Sequence, residues 1–225
     1  MTGGVPRPAP ATTAVVPLRD GVSGKSRLAA VLDAGSRRRL VRVLARHVVT
    51  TLLVADGIGR VVVVTADPAF ARETLAGLDV EVLEQPAERP GLNAALEYAR
   101  EVLVAPGPLL VAHADLPALS PADVAALLAR DAPLVVATDR YRSGTNLLLL
   151  RPEDDAGQAF RFRFGVGSLA AHLDEADARG LGAVVVHRPG TAVDLDTADD
   201  WSQLPDDVRA AVGQQVPGLC RAGPA

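Results

Sequence analysis

Seven short runs of consecutive apolar residues punctuate this chain, and they constrain its fold more than any other feature of the sequence. They fall at 14–18, 60–65 (RVVVVT), 80–83, 109–112, 134–137, 145–150 and 183–187. A continuous apolar run, unlike an alternating one, is what a strand buried on both faces requires. Helical patterns lie between the runs. The clearest covers 36–55, where Leu40, Leu44, Val48 and Leu52 recur every four residues along one stripe. Others cover 91–104, 120–130 with Ser120-Pro121 at its start, and 167–179. Strand and helix in alternation predict an α/β fold with a mostly parallel sheet between helices. One segment breaks the alternation. Runs 134–137 and 145–150 are joined by the polar turn 138–144, a spacing that suits a hairpin, so at least one strand should be antiparallel. The run 160–164 (FRFRF) alternates and reads as a strand-like edge with its aromatics buried.

The 225 residues suit one domain with a full hydrophobic core, and no linker or internal repeat divides them. We expect a domain over 14–216 flanked by flexible tails at 1–13, rich in Pro, Ala and Thr, and at 217–225. The 23 basic and 27 acidic residues leave a net charge of −4, which argues against a bulk-charge nucleic-acid binder. Aromatics make up only 3%, too few for a base-stacking platform. A single cysteine, Cys220, excludes an internal disulfide and a cysteine-based zinc site. With no apolar stretch near the roughly 18 residues of a membrane span and no signal-peptide pattern, the expectation is a cytoplasmic protein with no membrane partner. The helical stripe over 36–55 would serve a homodimer as readily as the core.

In open α/β sheets ligands bind at the carboxyl ends of strands, and that is where the unusual residues stand. The loop after the first run, 17–28, is rich in small residues and carries Lys25, the only lysine of the chain, and Arg27; both can neutralise phosphate. Gly24-Lys25-Ser26 looks superficially like a P-loop, but that motif needs a glycine where this chain has Arg19. The alternative is an exposed loop with solvated charges. Asp115, in His113-Ala114-Asp115-Leu116-Pro117, follows a buried run directly and is placed either to hold a hard cation or to serve as a turn or cap residue. Asp194 and Asp196 flank Leu195, so an extended chain points both to one face, where their repulsion is resolved by a cation. Alternatively Asp196 caps a helix beginning at Thr197. Ser143-Gly144-Thr145-Asn146 and Phe164-Gly165-Val166-Gly167-Ser168 combine hydroxyls with a glycine-rich helix start, which suits an anion or a plain helix cap. Asn93, near a helix start, offers a nucleobase both donor and acceptor, or serves its own helix. Of the four histidines, His47 and His187 read as structural, and His172 lies on a helix where it could meet a partner. No nucleophile elbow is present, which disfavours covalent hydrolysis.

Taken in order, Gly24-Lys25-Ser26-Arg27-Leu28, Leu92-Asn93-Ala94-Ala95, Ala114-Asp115-Leu116-Pro117, Gly144-Thr145-Asn146, Phe164 to Ser168 and Asp194-Leu195-Asp196-Thr197 resemble the guanylyltransferases of coenzyme F420 biosynthesis, which act on phosphoenolpyruvate or 2-phospho-L-lactate. The resemblance runs from about Ala14 to Leu204. It implies a single-domain, glycosyltransferase-A-like nucleotidyltransferase that joins GMP from GTP to a small phosphorylated three-carbon acid and releases pyrophosphate. It also implies Mg²⁺ held by Asp115, Asp194 and Asp196. Thr145, Gly165 and Ser168 would bind the acceptor; Lys25 and Arg27 would contact the triphosphate and Asn93 the base. Lys25 and Asp115 would act in catalysis. Arg19 departs from the lysine common in the family. The composition, poor in lysine and rich in Arg and Ala, favours phosphoenolpyruvate as the acceptor. A different small-acceptor nucleotidyltransferase, or a non-catalytic nucleotide-binding protein, are the alternatives.

Overall fold

The computed structural model describes residues 11–19, 25–103, 107–152, 157 and 159–221. Seven strands form one sheet: β1 (Thr12–Pro17), β2 (Ile58–Thr65), β3 (Glu81–Glu84), β4 (Leu109–Ala112), β5 (Leu134–Thr138), β6 (Thr145–Leu150) and β7 (Ala183–Val186). Their spatial order is β3-β2-β1-β4-β6-β5-β7. All neighbouring pairs are parallel except those of β6, which runs antiparallel to both β4 and β5. The hairpin read from the turn 138–144 therefore produces β6, the one strand of this sheet that runs against the others.

The central strands are buried on both faces, as their unbroken apolar runs require: every residue of β4, β5 and β6 is buried. Two apolar layers result. One face packs on α1 (Ala34–Leu53), α2 (Pro68–Thr74) and α4 (Pro121–Leu128). The other packs on α3 (Leu92–Leu103) and α5 (Ser168–Ala178), with Phe160, Phe162 and Phe164 filling the space between them. A third cluster joins the outer side of α1, through Leu40 and Leu44, to α6 (Ala198–Gln203) and α7 (Asp206–Gln215), through Trp201 and Val212. The stripe on α1 thus serves the core: Leu40, Leu44, Val48 and Leu52 are all essentially inaccessible.

Three boundaries differ from the sequence reading. Strand β1 begins at Thr12, and Thr12 and Thr13 are buried within the segment read as a tail, because Thr13 N–H donates to Pro108 C=O beside β4. At the other end Pro217–Arg221 forms a 3₁₀ turn that buries Leu219 in the third apolar cluster. The third difference concerns 160–164, which joins no strand. Its backbone is held by side chains. Phe162 and Phe164 N–H groups donate to Glu97 and Asn93 of α3, at 3.0 and 2.8 Å. Arg161 and Arg163 N–H groups donate to Glu175 and His172 of α5, at 3.2 and 2.9 Å. An extended chain turns successive N–H groups to opposite sides, so two flanking helices can replace two neighbouring strands. The aromatics are buried as the alternation predicts, but the pairing is with helices. Among the described residues no helix is long and apolar enough to cross a membrane.

Candidate active site

Strand β1 has β2 on one side and β4 on the other, so the chain path reverses between β1 and β4. A crevice at the carboxyl ends follows from such a switch point. A cleft of about 340 Å³ lies there, lined by Arg19 and Lys25 after β1, His113 and Asp115 after β4, and Asp194 and Asp196 from the segment after β7. It adjoins a second cavity of about 350 Å³ above β2 and β3, and Leu18, Arg19 and Leu92 line both.

Three carboxylates converge in the first cleft. Oxygens of Asp115, Asp194 and Asp196 all lie within 4.8 Å of one another. The acidic segments are tied by backbone, since Leu195 N–H donates to Asp115 C=O at 3.0 Å. Leu195 is fully buried, which turns its two neighbours outward to the same face, as the spacing predicts. Neither cap alternative holds. Thr197 caps α6 in a capping box with Asp200, and Ser120 caps α4 in one with Asp123. Asp115 and Asp196 are left free for the cleft.

Lys25 joins them. Its Nζ donates to Asp115 Oδ2 at 2.7 Å and to Asp196 Oδ1 at 2.6 Å, and only 7% of the side chain is accessible. Burial alone would lower its pKa, but the charges of Asp115 and Asp196 and the two hydrogen bonds outweigh it and hold the ammonium above its ordinary range. For Asp115, burial pushes upward while Lys25 and then His113 pull down, and the net shift is downward. Asp194 moves the other way, raised by burial and then by the carboxylates of Asp115 and Asp196. One ammonium therefore faces three carboxylates. The Lys25 backbone sits in the left-handed region (φ 58°, ψ 28°), a conformation that costs a non-glycine residue about 1–2 kcal/mol. The preceding loop residues, 20–24, lie outside the described residues.

A divalent cation fits this donor set. Asp115 Oδ1 is buried with no hydrogen-bond partner among the described residues, and the cluster carries more negative charge than Lys25 balances. Hard cations of this kind take carboxylate oxygens.

The second predicted constellation also assembles, in a different manner. Thr145 and Ser168 are buried, at 1% and 3% exposure, and bond inward. Thr145 N–H donates to Ser168 Oγ at 2.9 Å, and Thr145 Oγ1 lies 3.0 Å from His172 Nδ1. His172 Nε2 accepts from Arg163 N–H, which places the ring proton on Nδ1. Fully buried, His172 meets no partner surface; burial, then the nearby His113, lowers its pKa to about 4. The turn before α5 is open. Gly165 (φ 144°) and Gly167 (φ 70°) take positive φ, and Val166 between them is wholly exposed. The N–H groups of residues 165–167 make no hydrogen bond among the described residues.

Two predicted residues stand elsewhere. Arg27 is exposed on the 3₁₀ turn Ser26–Leu28 and does not line the cleft. Asn93 lines neither cavity: its Nδ2 donates to Phe164 C=O at 3.0 Å while its Oδ1 accepts from Phe164 N–H. Asn146 is likewise internal, donating to Thr191 C=O at 2.8 Å. Sequence reasoning missed Arg19 as a cleft residue, although its place directly after a buried strand was the available signal. His47 Nε2–H donates to the Leu119 carbonyl at 3.0 Å, in keeping with a structural role.

The chain is similar to known proteins. The pattern described as "Guanylyl transferase CofC like" matches residues 12–205. A phosphoenolpyruvate guanylyltransferase of Rubrobacter xylanophilus is 45% identical over 196 residues, covering 85% of this chain and 92% of that protein. A 2-phospho-L-lactate guanylyltransferase of Methanothermobacter thermautotrophicus is 33% identical over 197 residues, covering 86% and 83%. Among solved structures, a nucleotidyl transferase from Methanothermobacter superposes with a TM-score of 0.63 at 21% identity, covering 89% of this chain and 99% of that one. Its likeness concerns the fold. The chain belongs to the CofC-like guanylyl transferase family.

Proposed function

We propose that the protein transfers GMP from GTP to phosphoenolpyruvate, giving enolpyruvyl-2-diphospho-5'-guanosine and pyrophosphate, a reaction that belongs to coenzyme F420 biosynthesis. The observation that carries this reading is the Lys25–Asp115–Asp194–Asp196 cluster at the β1/β4 switch point, in a chain 45% identical to a phosphoenolpyruvate guanylyltransferase. The first cleft takes the triphosphate and the adjoining cavity the nucleoside. Arg19, which lines both, takes the phosphate role in place of Arg27, which lines neither.

An oxygen of the acceptor's phosphate attacks the α-phosphorus of GTP in line. The bond from the α-phosphorus to its bridging oxygen breaks, and pyrophosphate departs with the electron pair. The attacking phosphate is already ionised at neutral pH, so no side chain needs to remove a proton. Positioning and charge neutralisation then carry the rate. Lys25 supplies a fixed positive charge whose proton is retained throughout, since its pKa is raised. Two of its three donors hold Asp115 and Asp196, which leaves one for a phosphate oxygen. Asp115, Asp194 and Asp196 would hold Mg²⁺, which when bound offsets negative charge on the phosphates. The open N–H groups of the Gly165–Gly167 turn receive the acceptor, while Thr145, Ser168 and Asn93 hold that turn in place from behind.

Pyrophosphate release with Mg²⁺ tests the reading. GTP with phosphoenolpyruvate should support turnover, and ATP, CTP or UTP should not. Turnover with 2-phospho-L-lactate in place of phosphoenolpyruvate would keep the chemistry and reassign the acceptor. No release with any pair from folded protein would contradict the reaction.

A further inference from the structure

His113 is the first residue beyond β4, and its backbone N–H continues the ladder by donating to Asn146 C=O at 3.1 Å. Its ring packs on Phe164, with centroids 5.2 Å apart at an angle of 39°. Phe164 is clamped on both its N–H and its C=O by Asn93, and it directly precedes the Gly165 turn. The imidazole is therefore held firmly between two sites: the acidic cluster that begins at Asp115 and the open turn before α5. It lines the acidic cleft and not the adjoining cavity.

No hydrogen bond among the described residues uses its nitrogens, although the ring acts electrostatically on Asp115 and His172. Neither ring nitrogen has a hydrogen-bond partner among the described residues, and Nε2 is shut off from solvent. Buried polar atoms are nearly always partnered, because losing water without a replacement is unfavourable. A phenyl ring at this position would make the same contact with Phe164 and leave no nitrogen dry. The packing thus explains an aromatic ring here and does not explain an imidazole.

We propose that His113 is an acceptor-binding residue, whose imidazole hydrogen-bonds an anionic oxygen of the small phosphorylated acid held between the carboxylate cluster and the Gly165–Gly167 turn. This rests on the reaction proposed above, since it needs an anionic acceptor on that side of the cleft. On the reading proposed above the nucleoside of GTP occupies the second cavity, which His113 does not line, so GTP is the less suitable ligand. The ring adds a directional contact to a site otherwise built from backbone N–H groups, so it should help select small acidic acceptors over larger ones.

The test is steady-state pyrophosphate release by the wild type and by H113F, H113N and H113Q, varying GTP and the acceptor separately, with phosphoenolpyruvate, 2-phospho-L-lactate and 3-phosphoglycerate as acceptors. H113F keeps the ring contact and removes both nitrogens. It should raise the acceptor KM by about tenfold or more, the size expected for losing a hydrogen bond to a charged group. The KM for GTP should stay within about twofold, and the melting temperature should not fall. An amide in H113N stands near Nδ1 and in H113Q near Nε2, so the variant that restores the KM names the nitrogen used. An unchanged acceptor KM in H113F, or equal rises in both KM values, overturns the assignment to His113 while leaving the reaction standing. A wild type silent with all three acids overturns the reaction and, with it, this role for His113.

Discussion

Two polar clusters stand at the same edge of the sheet and are built in opposite ways. Around Lys25 two of three clustered carboxylates share one ammonium, Asp194 is raised by burial and then by its neighbours, and Asp115 keeps an oxygen without a partner among the described residues. Around Thr145 the polar groups are satisfied internally: Ser168, His172 and Arg163 close a chain of hydrogen bonds away from solvent. The first cluster is electrostatically incomplete without a ligand, and the second is complete without one. On the proposed function, the incomplete cluster is the one that meets substrate and the complete one holds the scaffold. Removing a member of the first should therefore damage activity more than stability. Removing a member of the second should do the reverse.

The largest effect that would break this contrast is on the carboxylates. Asp115→Asn and Asp194→Asn should each lower turnover by about a thousandfold or more while the circular dichroism spectrum stays native, in line with the weight of electrostatic stabilisation in such transfers. They should differ in the ligand-free melting temperature. Asp115→Asn weakens the ion pair with Lys25, so its melting temperature should fall; Asp194→Asn relieves a repulsion, so its melting temperature should hold or rise. Near-normal rates in both would dissolve the distinction between the clusters.

His172 gives the next effect, on stability alone. Its pKa is about 4 in the folded protein against 6.5 unfolded, so the unfolded chain binds the extra proton between these values. Its contribution is fully present above pH 6.5 and is lost as pH falls toward 4, about 3 kcal/mol across that window. A protonated ring also cannot accept from Arg163 N–H. Urea unfolding at pH 7 and at pH 5 measures the loss, and His172→Gln should flatten it. An equal slope in the variant would place the pH dependence in other groups.

Smaller effects sharpen the boundary between the clusters. Asn93→Ala removes both hydrogen bonds that hold Phe164 and should cost about 1–3 kcal/mol of stability. Its acceptor KM should rise several-fold with the KM for GTP unmoved. Gly167→Ala has free space around the added methyl group but meets an unfavourable φ of 70°, which should cost about 1 kcal/mol. Thermal melts check both, and a variant that melted with the wild type would show the turn to be held by something else.

Much of this was legible in the sequence, and the omissions follow a pattern. The strands were readable because a central parallel sheet demands unbroken apolar runs, and the hairpin because seven polar residues are too few for a crossover. Asp194 and Asp196 were readable because Leu195 between them has to be buried. Residues whose partners lie far along the chain were not. Asn93 looks like a base-reading amide until Phe164 is found against it, 71 residues on. Thr145 and Ser168 resemble surface donors until the neighbouring His172 draws them inward. The run 160–164 shows the period of a strand, but which neighbours satisfy its backbone is decided by Glu97 and Glu175 on separate helices. Helix α2 is only seven residues long, too short for a readable periodicity, and rests on the Asp67 cap and Pro68. Motif order identified the family, while tertiary contacts decided which motif residues line the cleft.

The most direct test of the account is pyrophosphate release by the wild type with Mg²⁺, GTP and phosphoenolpyruvate, run beside Asp194→Asn. Release by the wild type that requires both substrates, and is abolished in a folded Asp194→Asn protein, is the predicted result. Release that survives in the variant, or none from the wild type with any acceptor, would contradict the claim that the unbalanced carboxylate cluster is the centre of a guanylyl transfer site.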